Sequence, residues 1–210
     1  MKNNYILFDF DGVIADSFSH AYAVNKMIYP GLTDEEYKKR FEGNINDWKK
    51  TGSEHKSESR HDVDFYTEYL PRLRSQVKIF PGMEKAIEDL SRQYSLIVVS
   101  SELTAPIQEL LEKYKLAHFF TEIMGNDVHT SKIEKIRMVF FKYDTGSKGC
   151  IFVTDTLGDI REATHMGVST IGVSWGFHNH ETLMKGKPFR VVDSPKELSD
   201  SISEYFKGLN

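Results

Sequence analysis

Short runs of apolar residues recur along the chain, and polar or turn-forming residues bound each run. Runs of about four to eight apolar residues are typical of strands that are buried on both faces of a sheet. The first run, Tyr5-Ile6-Leu7-Phe8, ends where a cluster of acidic residues begins. The later candidate strands are Leu96–Val99, Glu122–Met124, Ile151–Thr154, Thr170–Val173 and Arg190–Val192.

Segments with helical spacing of apolar residues separate these candidate strands. A regular alternation of helices and buried strands predicts a parallel sheet with helices on both faces. We therefore predict an α/β fold with a doubly wound parallel sheet. The candidate helices are Glu84–Gln93, Ala105–Tyr114, Lys132–Tyr143, Asp159–Met166 and Pro195–Phe206.

The segment that follows the first acidic cluster has a different character, because it is strongly polar and contains no strand-like alternation. Helical stretches are predicted at Asp34–Phe41 and Val63–Leu70, with glycines and a polar run between them. The sequence therefore predicts two units. Residues 1–16 and 80–210 form a core, and residues 17–79 form a helical insertion.

Composition and charge exclude several classes of protein. The chain has 210 residues, of which 40% are hydrophobic and 28% charged, as in ordinary folded proteins. Its net charge of −4 provides no basic surface for a nucleic-acid polymer or for anionic lipid. No apolar run reaches membrane-spanning length, and the first run is too short and acidic for a signal peptide. We expect a cytoplasmic protein without nucleic-acid or membrane partners.

The single cysteine, Cys150, cannot form an internal disulfide. It precedes a buried strand, where cysteine more often serves as a small apolar side chain than as a nucleophile. A catalytic thiol is therefore not expected.

Two acids lie at the end of the first candidate strand. Asp9 and Asp11 are two residues apart, and Gly12 permits a tight turn beside a ligand. In open parallel sheets, ligands bind at the carboxyl ends of the strands. Adjacent carboxylates repel each other and favour a hard divalent cation such as Mg²⁺, which takes oxygen ligands. The alternative is an acidic turn with no chemical role.

Polar residues follow two further candidate strands. Ser100 comes after Leu96–Val99, and its hydroxyl could donate to a phosphate oxygen, although a serine there is also common in turns. Asp155 and Asp159 come after Ile151–Thr154. Because Asp159 opens a helix, it can cap that helix or interact favourably with the helix dipole, and it can also hold metal-bound water.

Lys132 is predicted at the start of a helix, where a cation opposes the helix dipole. A nearby anionic partner would stabilise the lysine at this position. The alternative is a solvated lysine, and we do not expect the side chain to be part of the core. The same alternative applies to Lys135, one turn further into the helix.

These elements, taken in order, resemble the motifs of the haloacid dehalogenase superfamily. The stretch DFDGVIADS, residues 9–17, matches the first motif, a strand followed by Asp-x-Asp-Gly-x-hydrophobic-x-Asp-Ser/Thr. Thr154 departs mildly from the small residue that usually precedes the last acidic motif. The loop Ile171–His178 is similar to that of phosphoglycolate-phosphatase-like members. The resemblance covers nearly the whole chain and implies a Rossmann-like core with a helical cap inserted after the first motif.

The resemblance also implies roles for individual residues. Asp9 would attack phosphorus to form an aspartyl-phosphate, and Asp11 would serve as general acid and then as general base. Ser100 and Lys132 would bind the phosphoryl group. The Mg²⁺ ligands would be the carboxylates of Asp9 and Asp155 and the backbone carbonyl of Asp11, with Asp159 holding metal-bound water. Dehalogenases of the superfamily lack the second acid, so Asp11 favours phosphoryl transfer.

The function expected from these motifs is Mg²⁺-dependent hydrolysis of a small phosphorylated metabolite. A phosphosugar, phosphoglycolate or a nucleotide are the candidate substrates. A phosphomutase would use the same motifs, and a binding module that retained the fold without turnover is the non-enzymatic alternative. The intact motif residues count against that last hypothesis. The oligomeric state is not predicted.

Several side chains have two open interpretations. Some polar residues of the insertion could contact a substrate or could be ordinary surface or packing residues. We expect His178 and His180 to be solvated loop residues rather than metal ligands. The pairs 119–120 and 140–141, all phenylalanine, are expected to be core or helix-packing positions. The residues of the insertion that could contact a substrate are Arg40, Asn44, Trp48, Lys49, Arg60 and His61.

Overall fold

A computed structural model describes residues 4–45, 60 and 62–208. It contains a six-stranded sheet with the order β3-β2-β1-β4-β5-β6, and neighbouring strands pair in parallel. The strands are β1 Tyr5–Phe8, β2 Ser95–Val99, β3 Phe120–Met124, β4 Cys150–Thr154, β5 Ser169–Val173 and β6 Arg190–Val192.

Helices connect these strands and cover the sheet, so the predicted α/β doubly wound architecture is confirmed. The predicted strands and core helices are all present, with ends shifted by at most two residues. Helices α1 and α8 were not predicted. The helices are α1 Phe18–Ile28, α2 Asp34–Lys39, α3 Phe65–Ser75, α4 Met83–Ser91, α5 Thr104–Lys113, α6 Lys132–Lys142, α7 Leu157–His165, α8 His180–Met184 and α9 Pro195–Lys207.

The central strand β1 is buried along its whole length. Ile6 and Phe8 pack in one core cluster, whereas Tyr5 and Leu7 pack in the cluster on the opposite face of the sheet. Successive side chains of a strand point to opposite faces, so both layers of the core draw on β1. This explains why its sequence is continuously apolar rather than alternating.

The strand order changes direction at β1, which lies between β2 and β4. In an open α/β sheet, such a switch point leaves a crevice at the carboxyl ends of the strands. Asp9, Ser100 and Asp155 directly follow β1, β2 and β4, respectively. The topology therefore brings the three predicted site segments to one edge of the sheet.

The helical segment between β1 and α4 leaves and re-enters the sheet layer at one place. The backbone N–H of Asp16 donates to the carbonyl of Lys78 at 2.8 Å, and Ala15 forms a β-bridge with Ile79.

The predicted helix Asp34–Phe41 changes to a 3₁₀ turn at Arg40–Glu42. No helix in the described part of the chain is long and apolar enough to cross a bilayer.

The expectation that both phenylalanine pairs are core or helix-packing positions is wrong for one residue. Phe119, Phe120 and Phe140 pack against core clusters, but Phe141 is 92% exposed. Adjacent residues on a helix are separated by about 100° around its axis, so Phe140 and Phe141 cannot face the same layer. Helix α6 therefore carries the Phe141 ring on its outer surface.

The position of β1 gives a stability prediction. Ile6→Ala should lower the free energy of unfolding by about 2–5 kcal/mol, because it removes buried methyl groups and leaves a cavity between packed layers. Chemical denaturation of the two proteins measures this difference. The control is Val128→Ala, whose side chain is 39% exposed and should change stability by less than about 0.5 kcal/mol. Equal effects of the two substitutions would contradict the placement of β1.

Candidate active site

Two hydrogen bonds hold Asp9 in place at the carboxyl end of β1. Its N–H donates to the carbonyl of Val153 in β4 at 2.9 Å, and its carboxylate Oδ1 accepts from the N–H of Phe10 at 2.8 Å. The residue is buried, with 6% of its surface exposed. Burial raises the pKa of Asp9 well above its ordinary value, and Lys132 opposes this shift only in part.

Lys132 is the first residue of α6 and joins two of the acids. Its ammonium Nζ lies 2.8 Å from Asp9 Oδ2 and 2.6 Å from Asp159 Oδ2. The expectation of a side chain outside the core is wrong, because Lys132 is only 4% exposed. The two carboxylates compensate for burying an ammonium group at the unfavourable end of a helix dipole.

The shared ammonium leaves the acids in different electrostatic states. Burial opposes the charge of Asp159, but Lys132 and hydrogen bonds hold its pKa below the ordinary value. Burial likewise opposes the charge of Lys132, yet Asp159 and Asp9 hold its pKa above the ordinary value. One ammonium thus serves two carboxyl groups, so the group carries a net negative charge whenever both are ionised.

Asp155 follows β4 and is completely buried. Its Oδ2 accepts from the N–H of Phe177 at 2.7 Å, while its Oδ1 has no hydrogen-bond partner among the described residues. Burial is the main cause that raises the pKa of Asp155 to about 8. A buried oxygen without a partner is costly, and a bound cation would satisfy it.

Two glycines allow the loops around Asp155 to approach it closely. Gly12 has a positive φ of 74°, and a Cβ there would lie 1.9 Å from Asp155 Oδ2. A Cβ at Gly176 would lie 2.3 Å from the same oxygen. Side chains at either position would displace this carboxylate, so the turn after β1 and the loop after β5 both require glycine.

These residues fit a hard divalent cation such as Mg²⁺. The carboxylates of Asp9 and Asp155 and the backbone carbonyl of Asp11 would be its protein ligands. Within the described residues, no set of three or more His, Cys, Asp or Glu side chains is arranged as a metal site. Mg²⁺ usually binds through only one or two carboxylates and keeps several water molecules, so two side chains suffice.

Asp159 lies in the first turn of α7, but Thr156 is the residue that caps this helix. The Thr156 hydroxyl accepts from the N–H of Asp159 at 3.4 Å. The hypothesis that the Asp159 side chain is the cap is therefore wrong. Besides Lys132, Asp159 Oδ2 accepts from the hydroxyl of Thr154 at 2.8 Å. The residue that departs from the family pattern thus helps to orient Asp159.

Asp11 lies beside Asp9 and contacts the helical insertion. The hydroxyl of Tyr69, in α3, donates to Asp11 Oδ1 at 3.1 Å. Burial raises the pKa of Asp11, although hydroxyl groups beside it and the Lys132 ammonium oppose the shift. Sequence reasoning placed Asp11 in the site but did not identify Tyr69, because the two residues are far apart along the chain.

Ser100 is fully buried at the end of β2, and its Oγ accepts from the N–H of Glu102 at 3.0 Å. The hydroxyl proton remains available to a ligand. The Lys135 ammonium donates to the backbone carbonyl of Ser100 and, at 3.2 Å, to that of Gly125. Lys135 is therefore not a solvated lysine, and burial lowers its pKa to about 8. Lys132 and Lys135 are spaced i, i+3 and so lie on one face of the helix. This spacing could have identified Lys135 as a second lysine facing the site.

A cavity of about 270 Å³ lies between the sheet edge and the helical insertion. Asp9, Asp11, Ser100, Lys132 and Asp159 line one part of it. The rest of the lining is largely aromatic and comes from the insertion, with a few polar groups. These insertion residues include Asn25, Tyr29, Tyr37, Arg40, Phe41, Asn44, Phe65 and Tyr66.

The polar residues singled out in the insertion have different positions. Arg40 is 6% exposed, donates to Asn25 Oδ1 at 3.3 Å, and stacks on the ring of Tyr29. Asn44 lines the cavity and donates to Glu162 Oε1 at 2.7 Å. Arg60 is exposed and pairs with Asp62 at 2.7 Å. The remaining three, which lie outside the described residues, are Trp48, Lys49 and His61.

The expectation of two solvated histidines is wrong for His178. This residue is buried, and its ring Nδ1 accepts from the N–H of Leu157 at 3.0 Å. Its Nε2 lies 2.9 Å from the carbonyl of Lys38 in the insertion. Burial lowers the pKa of His178, which favours the neutral ring that these two bonds require. His180 is exposed at the start of α8.

The chain is similar to named enzymes over almost its whole length. A phosphoglycolate phosphatase from Synechococcus elongatus is 21% identical over 216 residues, which cover 96% of this chain and 98% of the relative. One from Vibrio parahaemolyticus is 23% identical over 221 residues, covering 94% of this chain and 95% of the relative.

Solved structures show the same fold. A haloacid dehalogenase-like family hydrolase from Streptococcus pneumoniae superimposes with a TM-score of 0.79 at 19% identity, covering 96% of this chain and 100% of the other. A predicted phosphatase from Clostridium acetobutylicum gives a TM-score of 0.77 at 25% identity, covering 96% of this chain and 98% of the other.

A family model described as haloacid dehalogenase-like hydrolase matches residues 6–173. The matched range extends from β1 to the end of β5 and includes Asp9, Asp11, Ser100, Lys132 and Asp155. It confirms the resemblance inferred from the motifs. The chain belongs to the haloacid dehalogenase-like hydrolase family.

Proposed function

We propose that this protein is a Mg²⁺-dependent phosphatase that hydrolyses a small phosphomonoester through an aspartyl-phosphate on Asp9. The observation that carries the proposal is the buried Asp9 carboxylate, paired with Lys132 at 2.8 Å and close to Asp155 and Asp159, which follow β4. Related proteins are named phosphoglycolate phosphatases, which supports the same reaction class.

In the first half-reaction, a carboxylate oxygen of Asp9 attacks phosphorus and the bond from phosphorus to the ester oxygen breaks. Asp11 gives its proton to the departing alcohol. This divides a difficult hydrolysis into two easier displacements. Burial raises the pKa of Asp11, which favours the protonated form that a general acid needs.

In the second half-reaction, a water molecule attacks the phosphorus of the aspartyl-phosphate. Asp11, now ionised, accepts the proton of that water, and the bond between Asp9 and phosphorus breaks. Inorganic phosphate leaves, and both carboxyl groups return to their starting states. One residue thus serves as acid and then as base in consecutive steps.

Positioning and electrostatics supply most of the catalysis in phosphoryl transfer. The Lys132 ammonium offsets negative charge on the phosphoryl oxygens, and the Ser100 hydroxyl donates a hydrogen bond to one of them. Lys135 holds the Ser100 segment through its carbonyl. Bound Mg²⁺, held by Asp9, Asp155 and the Asp11 carbonyl, would supply further positive charge and orient the phosphoryl group.

We further propose that residues 17–79 act as a cap over the site. Asn44 of this segment bonds Glu162, and the Lys38 carbonyl bonds His178. These contacts hold the insertion against the carboxyl edge of the sheet, where it would exclude bulk water during the first half-reaction.

The cap also suggests a class of substrate. Arg40 is a buried cation in the wall of the cavity that contains Asp9. A guanidinium binds carboxylate or phosphate oxygens well. We therefore propose a phosphomonoester with a second anionic group, and 2-phosphoglycolate is the first compound to test.

Asp9→Asn should abolish phosphate release while the fold is retained, because an amide oxygen is a poor nucleophile and the side-chain volume is unchanged. Phosphate release from 2-phosphoglycolate and other phosphomonoesters, with circular dichroism as the check on folding, measures this. Asp200→Asn, an exposed change on α9, is the matched control and should keep wild-type activity. Turnover by Asp9→Asn at the control rate would contradict the proposal.

Asp155→Asn should remove the stabilisation that Mg²⁺ gives to the wild-type protein. A ligand at about 100 times its Kd stabilises a folded protein by about 2.7 kcal/mol, and losing an anionic ligand should weaken this binding strongly. Thermal unfolding with Mg²⁺ and with EDTA gives the difference in Tm for each protein. An unchanged Mg²⁺-dependent shift in Asp155→Asn would place the cation elsewhere.

Arg40→Gln should lower kcat/KM for 2-phosphoglycolate by about 10- to 100-fold, the effect of losing a charged hydrogen bond of about 1.5–3 kcal/mol. Hydrolysis of ethyl phosphate, which lacks the carboxylate, should change by less than about threefold. The second substrate is an internal control for damage to the fold. Equal losses for both substrates would contradict the assignment of Arg40 to the second anion.

A further inference from the structure

Tyr69 is a residue of the insertion that contacts a group assigned to the chemistry. Its hydroxyl donates to Asp11 Oδ1 at 3.1 Å, and the side chain is 1% exposed. Asp11 belongs to the turn after β1, whereas Tyr69 lies in α3, and both residues line the cavity. The hydrogen bond therefore joins the two parts of the molecule at the acid–base group.

The position of the Tyr69 hydroxyl is well defined by packing. Its ring stacks on that of Phe65 one turn earlier, with centroids 5.0 Å apart and planes inclined by 23°. The last turn of α3 is attached to α5, since Arg74 pairs with Glu109 at 2.7 Å and its carbonyl accepts from Lys113 at 3.0 Å. Such support restricts the hydroxyl to a narrow range of positions.

The bond to Oδ1 has a chemical consequence for Asp11. A carboxyl group has two oxygens, and a donor that occupies one of them leaves the other to carry the transferable proton. The same donor stabilises the carboxylate that forms when the proton leaves. General acid catalysis requires the proton to be within hydrogen-bond reach of the leaving oxygen, so the orientation of the carboxyl group matters.

We propose that Tyr69 is a positioning residue for Asp11, whose hydrogen bond from α3 orients the carboxyl group so that its other oxygen faces the leaving group. The inference rests on the proposed function, because Asp11 must act as a general acid. It adds a residue of the insertion to the chemical step, beyond excluding water or selecting substrate. Tyr69 itself contacts neither phosphorus nor the leaving oxygen.

The test compares two leaving groups. An alkyl alcoholate is a strong base and needs a proton as it departs, whereas p-nitrophenolate departs without one. Tyr69→Phe should therefore lower kcat/KM for 2-phosphoglycolate by about 10-fold or more, within the roughly 10²–10⁴-fold that general acid catalysis supplies. For p-nitrophenyl phosphate, kcat/KM should stay within about twofold of wild type.

The matched control is Tyr205→Phe. It also removes one tyrosine hydroxyl, which donates to the Cys150 carbonyl at 3.4 Å, at the opposite end of β4 from the site. This variant should change neither rate. If Tyr69→Phe lowers both rates equally, its effect is on folding or binding and the inference is overturned. Wild-type rates on both substrates would overturn it as well.

A second comparison uses Asp11→Asn, which cannot donate a carboxyl proton. In that background Tyr69→Phe should cause no further loss of kcat/KM for 2-phosphoglycolate, because residues that act as one unit are not additive. A full additional loss would show that Tyr69 acts independently of Asp11. Failure of wild type to release phosphate from either compound would instead overturn the proposed function, and the inference with it.

Discussion

The contact on which the rest of the site depends is the buried ion pair of Lys132 with Asp9 and Asp159. One ammonium lies 2.8 Å from the first carboxylate and 2.6 Å from the second. It fixes the start of α6 against the end of β1 and the first turn of α7 and partly compensates for burying the acids. A single ammonium cannot balance Asp9, Asp159 and Asp155 when all three are ionised, and Asp155 Oδ1 has no hydrogen-bond partner among the described residues. In the proposed function, the negative charge that these acids carry when ionised binds a divalent cation and, with that cation, a phosphoryl group.

Two glycines allow the backbone to approach the Asp155 carboxylate more closely than residues with a Cβ would permit. Gly12 and Gly176 both abut Asp155, so the turn after β1 and the loop after β5 converge on one carboxylate. The same turn carries Asp11 to the Tyr69 hydroxyl of the insertion. A single short segment therefore connects the proposed nucleophile, the acid–base group and the segment that covers them.

Much of this arrangement could be predicted from the sequence because it follows from local patterns. Continuous apolar runs identified the parallel strands, and polar residues at their ends identified Asp9, Ser100 and Asp155. Properties that depend on tertiary contacts were missed. The burial of Lys132 and His178 arises from partners far away in the chain, which periodicity does not reveal. Tyr69 was missed for the same reason, since its partner lies 58 positions earlier. The exposure of Phe141 depended on which of two adjacent phenylalanines faces the sheet.

The central claim is that a covalent phosphoryl group forms on Asp9, and rapid acid quenching tests it most directly. The wild-type protein would be mixed with 2-phosphoglycolate and Mg²⁺, quenched during the first turnovers, digested, and its peptides weighed by mass spectrometry. The account predicts a phosphoryl adduct on the peptide that contains Asp9, formed before steady-state phosphate release and absent when EDTA replaces Mg²⁺. Steady phosphate release with no adduct on that peptide, or with the adduct on another residue, would contradict it.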